Sequence, residues 1–131
     1  MNFLLDTNTI VDFFRGKEPA ISQLPLVVRK GTLSTCAINF AELLYGVHRA
    51  SKPEQERERI AQFISDFHVS LLSIGKETVQ IYADTKYELE RKGEKVDYFD
   101  LLIASCAIEH SLVLISGNKK HFSRVPYLKI L

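Results

Sequence analysis

Apolar and polar positions alternate in blocks along this chain, and the period changes from block to block. Three apolar residues, Phe3-Leu4-Leu5, run straight into Asp6-Thr7-Asn8, and Ile10-Val11-Asp12-Phe13-Phe14 follows. A short apolar run ending in polar residues reads as a buried strand, and the segment after it as a helix. Asp6 therefore stands where the first strand ends and the first helix begins. Arg15-Gly16-Lys17-Glu18-Pro19 is a turn, and Pro19 can open a second helix to about Val28, which Pro25 is expected to break or shorten. After Gly31, residues 32–35 predict a second strand and residues 37–49 a strong helix. Ser51-Lys52-Pro53 interrupts again. Residues 54–68 then predict an amphipathic helix, with Ile60, Phe63, Ile64 and Phe67 inward and opposite charges paired outward. Residues 69–72 predict a third strand. Residues 76–92 predict a long helix carrying Val79, Tyr82, Ala83 and Leu89 toward the core and stopped by Gly93. The segment 97–110 is apolar on nearly every helical face, so that helix is expected to be buried on most sides. Residues 112–115 form the clearest strand, ending in Ser116-Gly117-Asn118, and residues 127–131 a last short one. Strands alternating with helices predict an α/β fold with a mostly parallel sheet covered on both faces.

Composition bounds the picture without sharpening it. At 131 residues the chain is expected to be a single domain, 1–131, large enough for a real core. A net charge of +1 excludes bulk charge as a route to nucleic acid, so such a role requires a local basic patch. No basic segment followed by an apolar one opens the chain, and no apolar run reaches membrane-spanning length. Cys36 and Cys106 lack a C-x-x-C spacing and read as two buried thiols in a reducing, cytoplasmic compartment.

The chemistry lies in acids placed where the pattern leaves them conspicuous. Asp6 occupies a strand's carboxyl end, the edge where open α/β sheets bind ligands. A single such residue is nonetheless more often a helix cap. Glu42 interrupts the apolar run Ala37-Ile38-Asn39-Phe40-Ala41-Glu42-Leu43-Leu44, where a carboxylate is costly unless paired, hydrogen-bonded or bound to a cation. The alternative is a single exposed stripe, with Arg49 two turns away as an awkward partner. In Asp97-Tyr98-Phe99-Asp100, Asp97 reads as the helix cap and Asp100 as an inward-pointing ligand. Asn118 can ligate through its carbonyl or serve only as a turn residue. Lys119, Lys120, His121 and Arg124 form a basic cluster that fits either a solvated turn or a resting place for a phosphate backbone. His121 lacks a nucleophilic partner at any telling spacing and receives no catalytic role. Together the acids suit a hard cation such as Mg²⁺ or Mn²⁺, which can orient a phosphodiester and activate water.

The blocks Phe3-Leu4-Leu5-Asp6-Thr7-Asn8, Ala41-Glu42-Leu43-Leu44-Tyr45-Gly46, Phe99-Asp100-Leu101-Leu102-Ile103-Ala104 and Ser116-Gly117-Asn118 through His121-Phe122 resemble, in order, the four signature blocks of PIN-domain ribonucleases. The small size and the ending Phe122-Ser123-Arg124-Val125-Pro126 resemble in particular the VapC toxins of prokaryotic toxin–antitoxin pairs. The resemblance implies a three-layer α/β/α sandwich, a homodimer, and a Mg²⁺- or Mn²⁺-dependent endoribonuclease that leaves 5′-phosphate and 3′-hydroxyl ends. It implies that Asp6, Glu42 and Asp100 hold the metal. Asn118 stands at a fourth position that is often Asp, so one metal is expected to bind firmly while a second stays open. Ser116 is expected to orient a ligand or water. The substrate implied is structured RNA, such as a transfer RNA or a ribosomal RNA loop, and Lys119, Lys120 and Arg124 are candidates to contact it. The implied partner is a VapB-like antitoxin lying across the active-site groove, with DNA reached only through that antitoxin and no membrane involved.

Three other readings compete. A haloacid-dehalogenase-like phosphatase also opens on a strand and an Asp, but wants a second Asp two residues on, where this chain has Asn8. A receiver-like phospho-acceptor lacks its paired acids and late lysine here. A non-catalytic PIN-like scaffold that only binds protein stays open, although the intact set Asp6, Glu42 and Asp100 argues against it.

Overall fold

In the computed structural model, which describes residues 1–131, the strands are β1 (Phe3–Leu5), β2 (Leu33–Cys36), β3 (Ser70–Leu72), β4 (Val113–Ile115) and β5 (Lys129–Ile130). They form one sheet, ordered β3-β2-β1-β4-β5, in which every neighbouring pair is parallel. The helices are α1 (Thr7–Phe14), α2 (Ala20–Val27), α3 (Ala37–Arg49), α4 (Pro53–Asp66), α5 (Lys76–Arg91), α6 (Tyr98–Glu109) and the single turn α7 (Lys119–Phe122).

Because side chains alternate across a strand, β1 feeds both faces of the sheet. Phe3 and Leu5 enter a cluster with Ile10, Leu24, Leu43, Val47, Ile60 and Phe63, which brings α1 to α4 onto one face. Leu4 enters the other cluster, with Leu89, Leu101, Ile103, Ala104 and Leu114, beneath α5 and α6. The expected three-layer α/β/α sandwich follows. From β1 the chain steps outward through β2 to β3, then returns to place β4 on the far side of β1. The order of strands therefore reverses between β1 and β4, and that switch point opens a crevice at the strands' carboxyl ends. Pairing of Phe3 with both Leu33 and Val113 keeps these ends level, so the residues after β1, β2 and β4 share one edge.

Three expectations need correction. α1 starts at Thr7, directly after Asp6, rather than near Ile10. α2 runs through Pro25 to Val27 instead of breaking, since proline removes one backbone donor while Leu24 and Val27 stay buried on either side of it. The buried stripe of α5 is Thr78, Thr85 and Leu89, with Tyr82 half-buried, while Val79 and Ala83 face outward. Thr78 can sit inward because its hydroxyl donates to Glu109 at the end of α6 and accepts from the Gly75 N–H.

The apolar half of α4 is spent inside the chain. Phe63 packs on Phe13 and Phe14, and Phe67 on Phe13, with ring centroids 5.3–5.5 Å apart. Its charged half carries the expected pairs, Arg57–Glu54 and Arg59–Glu56. Cys36 and Cys106 are free and buried, as expected. No helix is long and apolar enough to cross a membrane.

Candidate active site

Asp6 leaves β1 at the switch point and is almost fully buried, with 4% of its surface exposed. It caps α1, accepting from the Thr7 N–H at 2.9 Å, so the capping role and a site role coexist in one side chain. Its second oxygen accepts from the Ser116 hydroxyl at 2.6 Å, and the Asn118 N–H donates to that same hydroxyl oxygen at 2.9 Å. The ends of β1 and β4 are thereby joined through a carboxylate. Burial raises the Asp6 pKa above the ordinary value, more than the bonds from Ser116, Thr7 and Asn39 lower it.

Asp100 lies in the first turn of α6 and is half-buried. Asp97 is the cap, accepting from the Phe99 N–H at 3.2 Å, which separates the two acids as the sequence suggested. Asp100 is pushed up to about 6, first by burial and then by the carboxylates of Asp6, Asp97 and Glu42, with His121 pulling the other way. Asp100 thus lies within reach of the charges of Asp6 and Glu42.

Glu42 is placed differently from the apolar setting its neighbours suggest. Only Asn39, Leu43 and Val47 of α3 are buried, so Glu42 emerges on an exposed side of the helix. It accepts a hydrogen bond from the Thr7 hydroxyl at 2.6 Å rather than pairing with Arg49, whose guanidinium lies 6.0 Å from the Tyr45 ring. No three His, Cys, Asp or Glu side chains close around a single point.

Two clefts flank the carboxylates. One, of about 510 Å³, runs from Glu42 between α1, α3 and α4 and is lined by Phe14, Arg15, Arg49 and Arg59. The other, of about 640 Å³, contains Asp100, Asn118, His121 and Arg124 beside Tyr98 and Lys86. The basic cluster is thus divided. Arg124 lines this second cleft and donates to the Lys95 carbonyl at 2.9 Å, whereas Lys119 lines a separate small recess together with Asp12 and Ser116. Lys120 is exposed. Asn118 caps α7 without a side-chain capping bond and keeps its amide half-buried at the cleft wall.

Sequence reasoning passed over Asn39, which is wholly buried and touches both Asp6 and Thr7. Its signal was available: an amide three residues before Glu42 in a largely apolar helix requires partners.

The PIN domain model matches residues 3–127. The chain is 34% identical over 130 residues to Ribonuclease VapC2 of Rickettsia felis, with 98% of this chain and 95% of that one covered. It is 27% identical to the tRNA(fMet)-specific endonuclease VapC of Shigella flexneri, covering 98% and 96%. Among solved structures, VapBC2 from Rickettsia felis bound to a promoter DNA fragment superposes with a TM-score of 0.91 at 31% identity, covering 100% of this chain and 98% of that one. VapBC-1 from nontypeable Haemophilus influenzae gives 0.87 at 27% identity, covering 100% and 97%. Fold, motif order and relatives agree: the chain belongs to the PIN-domain family, in its VapC ribonuclease branch.

Proposed function

We propose that this chain is the RNA-cutting toxin of a toxin–antitoxin pair, an endoribonuclease that uses Mg²⁺ or Mn²⁺ to hydrolyse a phosphodiester of structured RNA. The observation that carries this reading is the placing of two acids at the sheet's carboxyl edge: Asp6 is buried at the end of β1 and bonded to Ser116 after β4, and Asp100 is half-buried in the first turn of α6, where the charges of Asp6 and Glu42 help to raise its pKa. Like charges kept together by a rigid scaffold mark a place where a cation binds. The donors are oxygens, which suits Mg²⁺ or Mn²⁺ rather than a thiolate-loving metal. Mg²⁺ in particular takes one or two carboxylates and fills its other positions with water and substrate phosphate, so an open arrangement fits it. Asp6 and Asp100 are assigned as ligands, with Glu42 at the rim and the Asn118 carbonyl in support. Because Asn118 carries no charge, one firmly held cation is the expected stoichiometry.

When bound, the cation supplies Lewis acidity that polarises a phosphoryl oxygen and eases ionisation of water. The protein's own groups hold the rest in position. Ser116 and the Thr7 N–H fix the two Asp6 oxygens. Lys119 and Lys120 are assigned to the phosphate backbone and Arg124 to the Asp100 cleft, where its guanidinium is already anchored. A transfer RNA is the first substrate to try, since one relative bears the name tRNA(fMet)-specific endonuclease. The related VapBC complexes, one of them bound to promoter DNA, support an antitoxin as partner; antitoxin-borne DNA contact, a homodimer and a cytoplasmic location complete the reading as the resemblance implies them.

Purified protein incubated with total RNA and Mn²⁺ is expected to cut at few positions, leaving 5′-phosphate ends, and chelation is expected to stop it. Asp6→Asn and Asp100→Asn should fold, by circular dichroism, and lose cleavage and growth inhibition. An Asp6→Asn protein that still cleaves, free of contaminating nuclease, would overturn the assignment.

A further inference from the structure

Asn39 sits on the buried side of α3 with no exposed surface, and all its polar contacts run toward the acids or the strand that precedes them. Its oxygen accepts from the Cys36 N–H at 3.1 Å and from the Cys36 thiol at 3.1 Å. A backbone N–H can only donate, so this bond determines which way the Asn39 amide faces. The –NH₂ end must point to the other side. There it donates to the Thr7 hydroxyl oxygen at 3.1 Å and reaches Asp6 Oδ1 at 3.4 Å. The Thr7 oxygen, accepting from Asn39, turns its own hydrogen to Glu42 Oε1 at 2.6 Å. Every step in this chain of bonds has a fixed direction, beginning at the end of β2 and ending on two carboxylates from different elements.

We propose that Asn39 is a positioning residue: through one direct contact and one Thr7 relay, it sets the spacing and lone-pair orientation of Asp6 and Glu42, and with them the affinity for the divalent cation. The inference rests on the reading that these carboxylates hold such a cation. Outer partners of metal ligands act in this way because they fix orientation before the metal arrives. The burial of Asn39 adds to the effect, since a hydrogen bond away from water is stronger and an unmatched one is costlier. A packing role alone would need only a side chain of this volume. The observed amide is instead bonded at both ends, and no buried polar atom here lacks a partner.

The test is Mn²⁺ binding to the metal-free protein, followed by the paramagnetic resonance signal of free Mn²⁺, alongside thermal unfolding without metal. Wild type is titrated first with Asp6→Asn as the blank. If wild type binds no better than this blank, the cation reading itself fails and this inference falls with it. If wild type binds, Asn39→Leu, of similar volume but without a donor, is expected to weaken binding about tenfold. Thr7→Val should weaken it severalfold, and Thr7→Ser, which keeps the hydroxyl, should restore it. Because both residues act through one relay, Asn39→Leu combined with Thr7→Val should bind about as Asn39→Leu does alone. Wild-type affinity in a folded Asn39→Leu protein, or independent multiplication of the two effects, would overturn the proposal. Should Asn39→Leu fail to fold, the half-buried Thr7 still decides it: unchanged Mn²⁺ affinity in Thr7→Val would overturn the relay.

Discussion

Asp100, assigned above as a ligand, is held where its charge costs the fold. The folded chain holds its proton to about pH 6, against an ordinary value of 3.8, so between these limits the folded state binds more protons than the unfolded one. Its contribution is therefore fully present below pH 3.8 and is lost as pH rises through about 6. Asp6, raised by burial, acts in the same direction. At pH 7.5 the metal-free Asp100→Asn protein is expected to be more stable than wild type by about 1 kcal/mol, after discounting for the solvent that reaches this half-buried group. That corresponds to a few degrees in Tm by calorimetry. Mg²⁺ or Mn²⁺ should raise the wild-type Tm more at pH 8 than at pH 5, where protons compete for the same oxygens. A metal-induced shift equal at both pH values would contradict the role given to these acids. Asp6 and Asp100 were legible in the sequence because each acid abuts an apolar run. Glu42 stood out in the sequence for its apolar setting, yet the exposed stripe weighed against that setting is what the fold uses, since the apolar letters around it, Leu44 and Tyr45 among them, face solvent.

At the scale of elements, β1 and β4 were legible because each is a brief apolar run with a sharp polar end, and β2 because β-branched residues follow Gly31. Helix faces were less so. Reading α5 by its most apolar letters put Val79 and Ala83 inside, whereas the true stripe uses Thr78 and Thr85, and the Thr78 hydroxyl is matched by a tertiary partner, Glu109. Single-sequence periodicity cannot see those partners. Gly31 gives a test of how β1 is seated. A Cβ there would fall 1.4 Å from the Met1 carbonyl oxygen, and the same corner holds the Thr32 N–H to Asn2 Oδ1 and the Phe3 N–H to the Thr32 carbonyl. Gly31→Ala is expected to destabilise by about 1–3 kcal/mol, read as a lower urea midpoint, because backbone must shift to admit the methyl group. Phe63→Ala, which strips the ring shared by Phe13, Phe14 and Phe67, should cost about 3–5 kcal/mol.

Across the whole molecule the formal charge nearly cancels, so attraction to RNA must come from where the charges lie. The exposed lysines at 119 and 120 follow directly on Asn118, at the edge that carries the acids. RNA approaching that edge meets repulsion from Asp6, Glu42 and Asp100 and relief from the lysines, and a bound cation shifts the balance toward contact. The sequence gathered Lys119, Lys120 and Arg124 into one cluster, but α7 divides them: Arg124 lines the Asp100 cleft while Lys119 lines a separate recess. Arg124 is also committed to the Lys95 carbonyl, so its loss would loosen the loop as well as the RNA. The cleaner measurement therefore uses Lys119→Ala with Lys120→Ala. If both lysines meet phosphates, affinity for an uncleaved RNA on an Asp6→Asn background should fall, and the slope of log affinity against log salt should become shallower by about one to two. An unchanged slope would leave the two lysines as a solvated turn and move the search for the RNA path to the Arg124 side of the sheet edge.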